Sequence, residues 1–171
     1  MVDAVIEVID ARIPVSSRNP IIDELVQGKP RVIVLNKSDL ADSTACREWS
    51  DRFREEGSMC LAMNCMSGTG VKELFRLLEK MEAEKNKERA RQKPFRMMIV
   101  GVPNVGKSSL INRMTGRKSA QTGDRPGVTR GKQWLKLKNG MQLLDTPGIL
   151  WPKFEDPKAG MDLAFCGSIK D

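Results

Sequence analysis

One glycine-rich segment, with an apolar run before it and a helix-forming run after it, constrains this 171-residue chain more than any other feature. Residues 101–108 read GVPNVGKS and match the pattern G-x-x-x-x-G-K-[ST]. Residues 96–100 predict a buried strand, and residues 109–113 predict the start of a helix. Because the pattern requires that context, we interpret the segment as a phosphate-binding loop rather than a chance glycine-rich turn.

Each residue type in this loop has a physical reason to be there. The glycines allow backbone N–H groups to converge on phosphate oxygens, and the helix N-terminus adds positive potential. Lys107 is expected to reach the β- and γ-phosphates as a catalytic group, and the Ser108 hydroxyl to ligate Mg²⁺. Val105, Gly106 and Ser109 complete the predicted nucleotide contacts of this loop. The loop alone does not distinguish ATP from GTP.

Residues 36–39, which read NKSD, indicate the base. They follow the apolar run 31–35 and are therefore predicted at the carboxyl edge of a strand, where open α/β sheets bind ligands. The Asp39 carboxylate can accept hydrogen bonds from the N1–H and 2-amino groups of guanine, whereas adenine would leave it unpaired. The stem of Lys37 can cover the base, and Asn36 can tie this motif to the phosphate loop. By itself the tetrapeptide could be a surface turn. In a chain that also has the phosphate loop, residues 36–39, including Ser38, predict a binding site for GTP or GDP.

A third segment is predicted to contact the base through its backbone. Residues 64–70 follow the apolar run 59–63, and a backbone N–H of Asn64, Cys65 or Met66 is expected to meet the guanine carbonyl. A plain strand-to-helix loop is the alternative.

Two segments after the phosphate loop are expected to respond to the third phosphate. Asp145 ends an apolar run and can hold Mg²⁺ through water, while the Gly148 N–H can meet the γ-phosphate. Thr129, in the glycine- and proline-containing stretch 123–130, is the predicted second hydroxyl ligand of Mg²⁺. An ordinary turn at 145–148 and a simple connecting loop at 123–130 are the alternatives.

Apolar runs that alternate with helical stretches predict an α/β fold with a mostly parallel, six-stranded sheet and helices on both faces. Helices are expected at 20–27, 43–56 and 71–92, of which the last has a charge-rich, solvated end with i,i+4 pairs. Asn139-Gly140 predicts a hairpin between strands 133–137 and 141–144.

Composition excludes several kinds of site. The chain has no histidine, which rules out histidine general bases and classical His/Cys zinc sites within it. Cys46, Cys60, Cys65 and Cys166 lie in no paired metal spacing and are expected to be reduced thiols. No apolar run approaches the roughly 18 residues of a membrane span, and residues 1–4 do not resemble a signal peptide. A strand so close to Met1 suggests that the chain begins inside a longer protein.

The base motif precedes the phosphate loop, which is the reverse of the order in ordinary translation-factor-related GTPases and indicates a circular permutation. Given this order, residues 10–14 (DARIP), 17–20 (SRNP), 126–129 (PGVT) and 145–152 (DTPGILWP) resemble the bacterial ribosome biogenesis GTPase A family of the YlqF type. The mitochondrial ribosome-associated GTPases are similar.

This resemblance implies a P-loop GTPase domain over residues 1–171, without the family's N-terminal segment and C-terminal helical domain. It implies GTP hydrolysis coupled to late maturation of the large ribosomal subunit, in the bacterial cytoplasm or, in a eukaryote, the mitochondrion. The alternatives are a factor for the small subunit, a GTP-dependent RNA-binding scaffold without turnover and a P-loop ATPase or kinase.

Ile149 stands where many GTPases have a water-orienting glutamine, so charge stabilisation is expected from elsewhere. The resemblance implies that Asn104 coordinates K⁺ near the phosphates; a side chain that only caps its own loop is the alternative.

Basic residues cluster beyond the phosphate loop. The net charge of residues 109–140 equals the +7 of the whole chain. We interpret this cluster as a contact for rRNA phosphates, with ordinary solubility charge as the alternative and with no membrane or DNA partner expected. The predicted patch consists of Arg113, Arg117, Lys118, Arg125, Arg130 and Lys132.

Overall fold

A computed structural model describes residues 2–14, 28–101, 105–116, 133–137 and 139–145. Within these ranges the chain forms six strands, three α-helices and one short 3-10 turn. The strands are β1 (Ala4–Asp10), β2 (Arg31–Asn36), β3 (Met59–Ala62), β4 (Arg96–Val100), β5 (Gln133–Lys136) and β6 (Gln142–Asp145). The helices are α1 (Ser43–Glu55), α2 (Val71–Glu88) and α3 (Lys107–Thr115), and the 3-10 turn is Ser38–Leu40.

The six strands form one sheet in the order β3-β2-β1-β4-β6-β5. Every neighbouring pair is parallel except β5 and β6. The hairpin predicted from Asn139-Gly140 joins these two: Gly140 has a φ of +88°, and the Leu137 N–H donates to the Met141 carbonyl at 2.8 Å. The predicted α/β fold with a six-stranded, mostly parallel sheet is therefore confirmed.

Helices cover both faces of the sheet, as predicted. Because side chains alternate along a strand, β1 sends Ile6 and Val8 into a core shared with α2 and α3. Ile9 points the other way, into a second core with Phe53 of α1. All seven residues of β1 are buried, so this strand lies at the centre of the sheet.

Helix α2 is shorter than predicted, because it ends at Glu88 rather than at 92. Arg89 turns to an extended conformation, and its guanidinium pairs with Asp3 at the start of the chain. Near this end, Lys85 and Glu88 pair at 3.9 Å with i,i+3 spacing instead of the predicted i,i+4 spacing. The helix thus stops where a long-range ion pair competes with further helical turns.

Three of the four cysteines, Cys46, Cys60 and Cys65, are buried free thiols. Burial, with the nearby Asp42 charge, raises the pKa of Cys46. Cys166 and the helix predicted at 20–27 lie outside the described residues. Within the described part of the chain, no helix combines the length and apolar character needed to cross a bilayer.

Candidate functional site

The predicted nucleotide-binding residues that the structure describes converge at one edge of the sheet. The NKSD motif begins at the end of β2, residues 64–70 follow β3, and the phosphate loop follows β4. These strands are parallel, so their carboxyl ends meet at the same edge, where ligands bind in open α/β sheets.

The side chain of Asn36 joins all three loops. It is only 3% exposed; its Nδ2 donates to the Val105 carbonyl at 2.7 Å, and its Oδ1 accepts from the Cys65 N–H at 2.9 Å. The contact expected between the base motif and the phosphate loop is therefore present. The link to Cys65 adds the third loop, so one buried amide sets the spacing between the base and phosphate regions.

The phosphate loop passes so close to Asn36 that only glycine fits there. Gly106 has a φ of +101°, and a Cβ on it would lie 1.9 Å from the Asn36 Nδ2. A Cβ on Gly101 would lie 2.8 Å from the Val8 carbonyl oxygen of β1. Both glycines leave room that a side chain would fill, which fits a loop whose backbone closes on a ligand's phosphates.

Helix α3 begins directly at this loop. Its first internal hydrogen bond runs from the Leu110 N–H to the Gly106 carbonyl at 2.9 Å. The N–H groups of Lys107, Ser108 and Ser109 therefore precede the bonded turns, at the positive end of the helix dipole. Lys107 is 7% exposed, which places its charge in a site largely closed to water. An anionic ligand fits this end of the helix.

A buried acidic residue at the end of β1 contacts the NKSD motif. Asp10, at the end of β1, is fully buried and accepts three hydrogen bonds from Arg12, at 2.9, 3.0 and 2.7 Å. The Lys37 Nζ lies 3.4 Å from the Asp10 Oδ2. Burial alone would raise the pKa of Asp10, but the Arg12 hydrogen bonds and the Lys37 charge outweigh it and lower the pKa below its usual value.

This ion pair explains an unusual backbone conformation. Lys37 has a φ of +60°, in the left-handed region that costs a side-chain-bearing residue about 1 kcal/mol or more. The buried Asp10 carboxylate holds the Lys37 ammonium and helps to keep the residue there. Sequence reasoning gave Asp10 and Arg12 no site role; the available signal was a charged residue ending an otherwise apolar strand.

The rest of the NKSD motif is held against β3. The backbone N–H and the Oγ of Ser38 both donate to the Met63 carbonyl, at 3.1 and 2.9 Å. Asp39 is exposed within the 3-10 turn. The motif thus presents an accessible carboxylate on an anchored turn, which is what its predicted role requires.

Residues 64–70 form a compact turn rather than a loose connection. The Asn64 Oδ1 accepts from the N–H groups of Met66 and Ser67 at 3.1 and 3.2 Å. Burial raises the pKa of the Cys65 thiol to about 12, although Arg113 partly opposes this effect. The thiol is therefore protonated at neutral pH and does not act as a thiolate.

Arg113 contacts this turn, which sequence reasoning missed. Its Nε donates to the Cys65 carbonyl at 3.1 Å, and its Nη2 donates to the Met66 carbonyl. The sequence places Arg113 in the predicted RNA patch, whereas in the structure its guanidinium donates hydrogen bonds to the turn at residues 64–70, which we call the base loop. No local pattern announces a contact between residues so far apart in the chain.

Several predicted site residues lie outside the described ranges, so their roles stay predictions. They are Asn104, Thr129, Gly148 and Ile149 near the phosphates, and Arg117, Lys118, Arg125, Arg130 and Lys132 in the patch. Asp145 is described as the last residue of β6, where its backbone pairs with Ile99 of β4 at the edge that bears the phosphate loop.

Comparison with known proteins agrees with this geometry. A protein family described as 50S ribosome-binding GTPase matches residues 96–170. Ribosome biogenesis GTPase A of Priestia megaterium is 50% identical over 100% of this chain and 61% of that protein. Mitochondrial ribosome-associated GTPase 1 of Mus musculus is 42% identical over 99% of this chain and 55% of that protein.

A solved structure shares this fold, and the predicted P-loop GTPase fold is thereby confirmed. The GDP-bound structure of TM YlqF superimposes with a TM-score of 0.72 and 32% identity, covering 99% of this chain and 66% of that one. The chain thus spans about three fifths of the length of the curated relatives that it matches.

Proposed function

We propose that the chain is a member of the ribosome biogenesis GTPase A family, and that it binds GTP and hydrolyses it to GDP and phosphate during ribosome assembly. The observation that carries the proposal is the Asn36 amide, which joins the base motif, the base loop and the phosphate loop. One side chain thereby fixes the distance between a guanine-selective carboxylate and a phosphate-binding helix end.

We assign the described site residues the following roles in nucleotide binding. Asp39 accepts from the guanine N1–H and 2-amino groups, and the Lys37 stem covers the base while Asp10 holds its ammonium. The backbone at Gly106 and the start of α3 binds phosphate oxygens, and Lys107 adds positive charge between the β- and γ-phosphates. Residues 1–171 act together as one circularly permuted GTPase domain.

Hydrolysis also needs groups that sequence alone assigns. Mg²⁺, when bound, neutralises charge that develops on the phosphates, and the Ser108 hydroxyl, Thr129 and Asp145 are its proposed ligands. Among the residues that the structure describes, no cluster of three His, Cys, Asp or Glu side chains forms a separate metal centre. The Mg²⁺ ligands that we propose are hydroxyl groups and nucleotide phosphates, with Asp145 acting through water. Gly148 meets the γ-phosphate.

We expect K⁺ to accelerate hydrolysis where Na⁺ does not. Ile149 can neither orient water nor stabilise charge, so a cation held by the Asn104 side chain would take the place of an arginine finger beside the phosphates. Phosphate release by the full-length protein with large ribosomal subunits should be roughly tenfold or more faster in KCl than in NaCl at equal ionic strength. Asn104→Ala should lose this difference, while Asn86→Ala, on α2, should keep it. Equal rates in the two salts would exclude the potassium role.

We further propose that the partner is the large ribosomal subunit and its rRNA, at a late stage of maturation. The matched family carries the 50S particle in its description, and the basic stretch 109–140 has the charge to contact rRNA phosphates. The compartment would be the cytoplasm of a bacterium or, in a eukaryote, the mitochondrion. The full-length protein with a GTP analogue should sediment with large subunits and not with small ones; the reverse would favour the small-subunit alternative.

Neutralising Arg125, Arg130 and Lys132 together to Gln should weaken this binding. Three lost phosphate contacts should lower the slope of log affinity against log salt by about 2 to 3, because fewer counterions are released. GTP affinity should stay within about twofold of the parent, since these side chains are not assigned to the nucleotide.

The matched control neutralises three exposed cations on α2, namely Arg76, Lys80 and Lys87. An unaltered salt slope in the first variant, or an equal change in the control, would contradict rRNA contact by this patch. Subunit binding without any phosphate release, in either salt, would instead favour a GTP-dependent scaffold.

A further inference from the structure

We propose that Arg113 is a positioning residue for guanine recognition, which acts by fixing the backbone of the base loop at residues 64–66. The inference rests on the proposed binding of guanine nucleotides and adds a specificity determinant to that site. This role differs from the rRNA contact that the sequence predicted for Arg113.

The geometry is that of a two-pronged donor on two successive carbonyls. The Arg113 Nε lies 3.1 Å from the Cys65 carbonyl oxygen, and its Nη2 contacts the Met66 carbonyl oxygen. A guanidinium presents its donors in a fixed plane, so it can hold both carbonyls at once and fix their relative orientation. A lysine ammonium, on a flexible stem, does not fix that orientation.

The same peptide segment is held from its other side. The Cys65 N–H donates to the Asn36 Oδ1 at 2.9 Å, while the Cys65 carbonyl accepts from Arg113. Cys65 is thus fixed at both its donor and its acceptor. The adjacent Met66 N–H donates to the Asn64 side chain at 3.1 Å, at an exposed position where an incoming carbonyl oxygen can compete for it.

Space around the turn also matches the arginine. Gly68 has a φ of +86°, and a Cβ placed on it would lie 3.5 Å from the Arg113 Nη1. The guanidinium therefore packs along the turn as well as bonding to it. Ser109, one helical turn earlier on α3, adds a contact of its Oγ with the Met66 Sδ at 3.6 Å.

Helix α3 starts in the phosphate loop and carries Arg113 in its second turn. The base loop is consequently tied to the element that binds the phosphates, just as Asn36 ties it to the base motif. When Arg113 is removed, the 6-oxo group of guanine should meet a less well-positioned N–H, and the preference for guanine over a 6-amino purine should fall.

The test uses the full-length protein and compares two diphosphates. GDP carries a 6-oxo group and an N1–H, whereas 2,6-diaminopurine riboside diphosphate carries a 6-amino group, has no N1–H and keeps only the 2-amino group as a donor to Asp39. The difference at N1 is the same for every variant, so a change in the affinity ratio between variants reports on the 6-position. Arg113→Met keeps the apolar stem without the donors, and Arg113→Lys keeps the charge without the fork. Both should reduce the ratio of the two affinities by roughly threefold to tenfold, the loss expected for one misplaced hydrogen bond.

The matched control is Arg76→Met, an exposed arginine on α2 that should leave the ratio unchanged. Melting temperature is measured for every variant, and the Lys variant decides the question if Arg113→Met does not fold. An unchanged ratio in protein that still binds GDP would overturn the inference, as would an equal loss of both affinities.

Two further outcomes separate this inference from other ideas. Failure of the parent protein to bind GDP at all would overturn the proposed function rather than the role of Arg113. Loss of ribosomal-subunit binding with an unaltered nucleotide ratio would return Arg113 to the RNA patch and overturn the positioning role.

Discussion

Asp39→Asn should convert the protein from a GTP-binding to a xanthosine-triphosphate-binding one. The carboxylate only accepts hydrogen bonds, whereas an amide also donates, and xanthine carries a carbonyl in place of the 2-amino group of guanine. Asp39 is exposed on a turn anchored by Ser38 to the Met63 carbonyl, so the substitution should change the chemistry without disturbing the fold. We expect the affinity ratio of the two triphosphates to change by roughly a hundredfold or more.

Competition against labelled GTP, with both triphosphates and ATP as competitors, measures this ratio. Asp51→Asn is the matched control, because Asp51 is an exposed aspartate on α1 that pairs with Arg54. If ATP displaces labelled GTP from the parent protein as well as GTP does, Asp39 does not select the base. The result would favour the alternative that the protein is an ATPase or a kinase. An Asp39→Asn variant that still prefers GTP would lead to the same conclusion about Asp39.

Gly106→Ala should abolish nucleotide binding and strongly destabilise the fold. The φ of +101° is unfavourable for alanine, and the new Cβ would lie 1.9 Å from the Asn36 Nδ2. The amide must then move and give up its bonds to the Val105 carbonyl and the Cys65 N–H. Backbone strain of about 1 to 2 kcal/mol and two lost buried hydrogen bonds of about 1 kcal/mol each together predict a loss of roughly 3 to 4 kcal/mol in the free energy of unfolding.

Gly57→Ala separates the two causes. Gly57 has a φ of +93°, close to that of Gly106, but a Cβ there would meet nothing within 4 Å. Denaturant unfolding of both variants should show only the backbone strain in Gly57→Ala, with GDP affinity unchanged. Equal losses of stability in the two variants would mean that the Asn36 contact contributes little.

Much of this fold is predictable from sequence because its signals are local. Runs of four or five residues identified the positions of the six strands, which are four to seven residues long in the structure. Asn139-Gly140 identified the antiparallel connection between β5 and β6. The NKSD and GVPNVGKS segments identified the sheet edge that carries the site, since each directly follows a strand.

Three of the missed features depend on residues distant in the chain. Asp10 receives the Lys37 ammonium, Arg113 reaches the Cys65 carbonyl, and Arg89 ends α2 by pairing with Asp3. In each case a charged side chain looked like surface charge, because its partner is supplied only by the tertiary fold. Charged residues are usually solvated, so local reasoning assigns them to the surface or to an external ligand.

The central position of β1 also determines how the chain can fold as it is synthesised. β1 is made before the other five described strands and can pair with β2 early, but its other edge pairs with β4, where Ala4 lies opposite Met97. Until β4 leaves the translating ribosome, this apolar strand has an open edge, which is a template for wrong pairing with other chains. The half that carries the proposed base-binding residues is thus built before the half that carries the proposed phosphate loop. If the proposed function is right, nucleotide stabilises the nascent protein only after the two halves have joined.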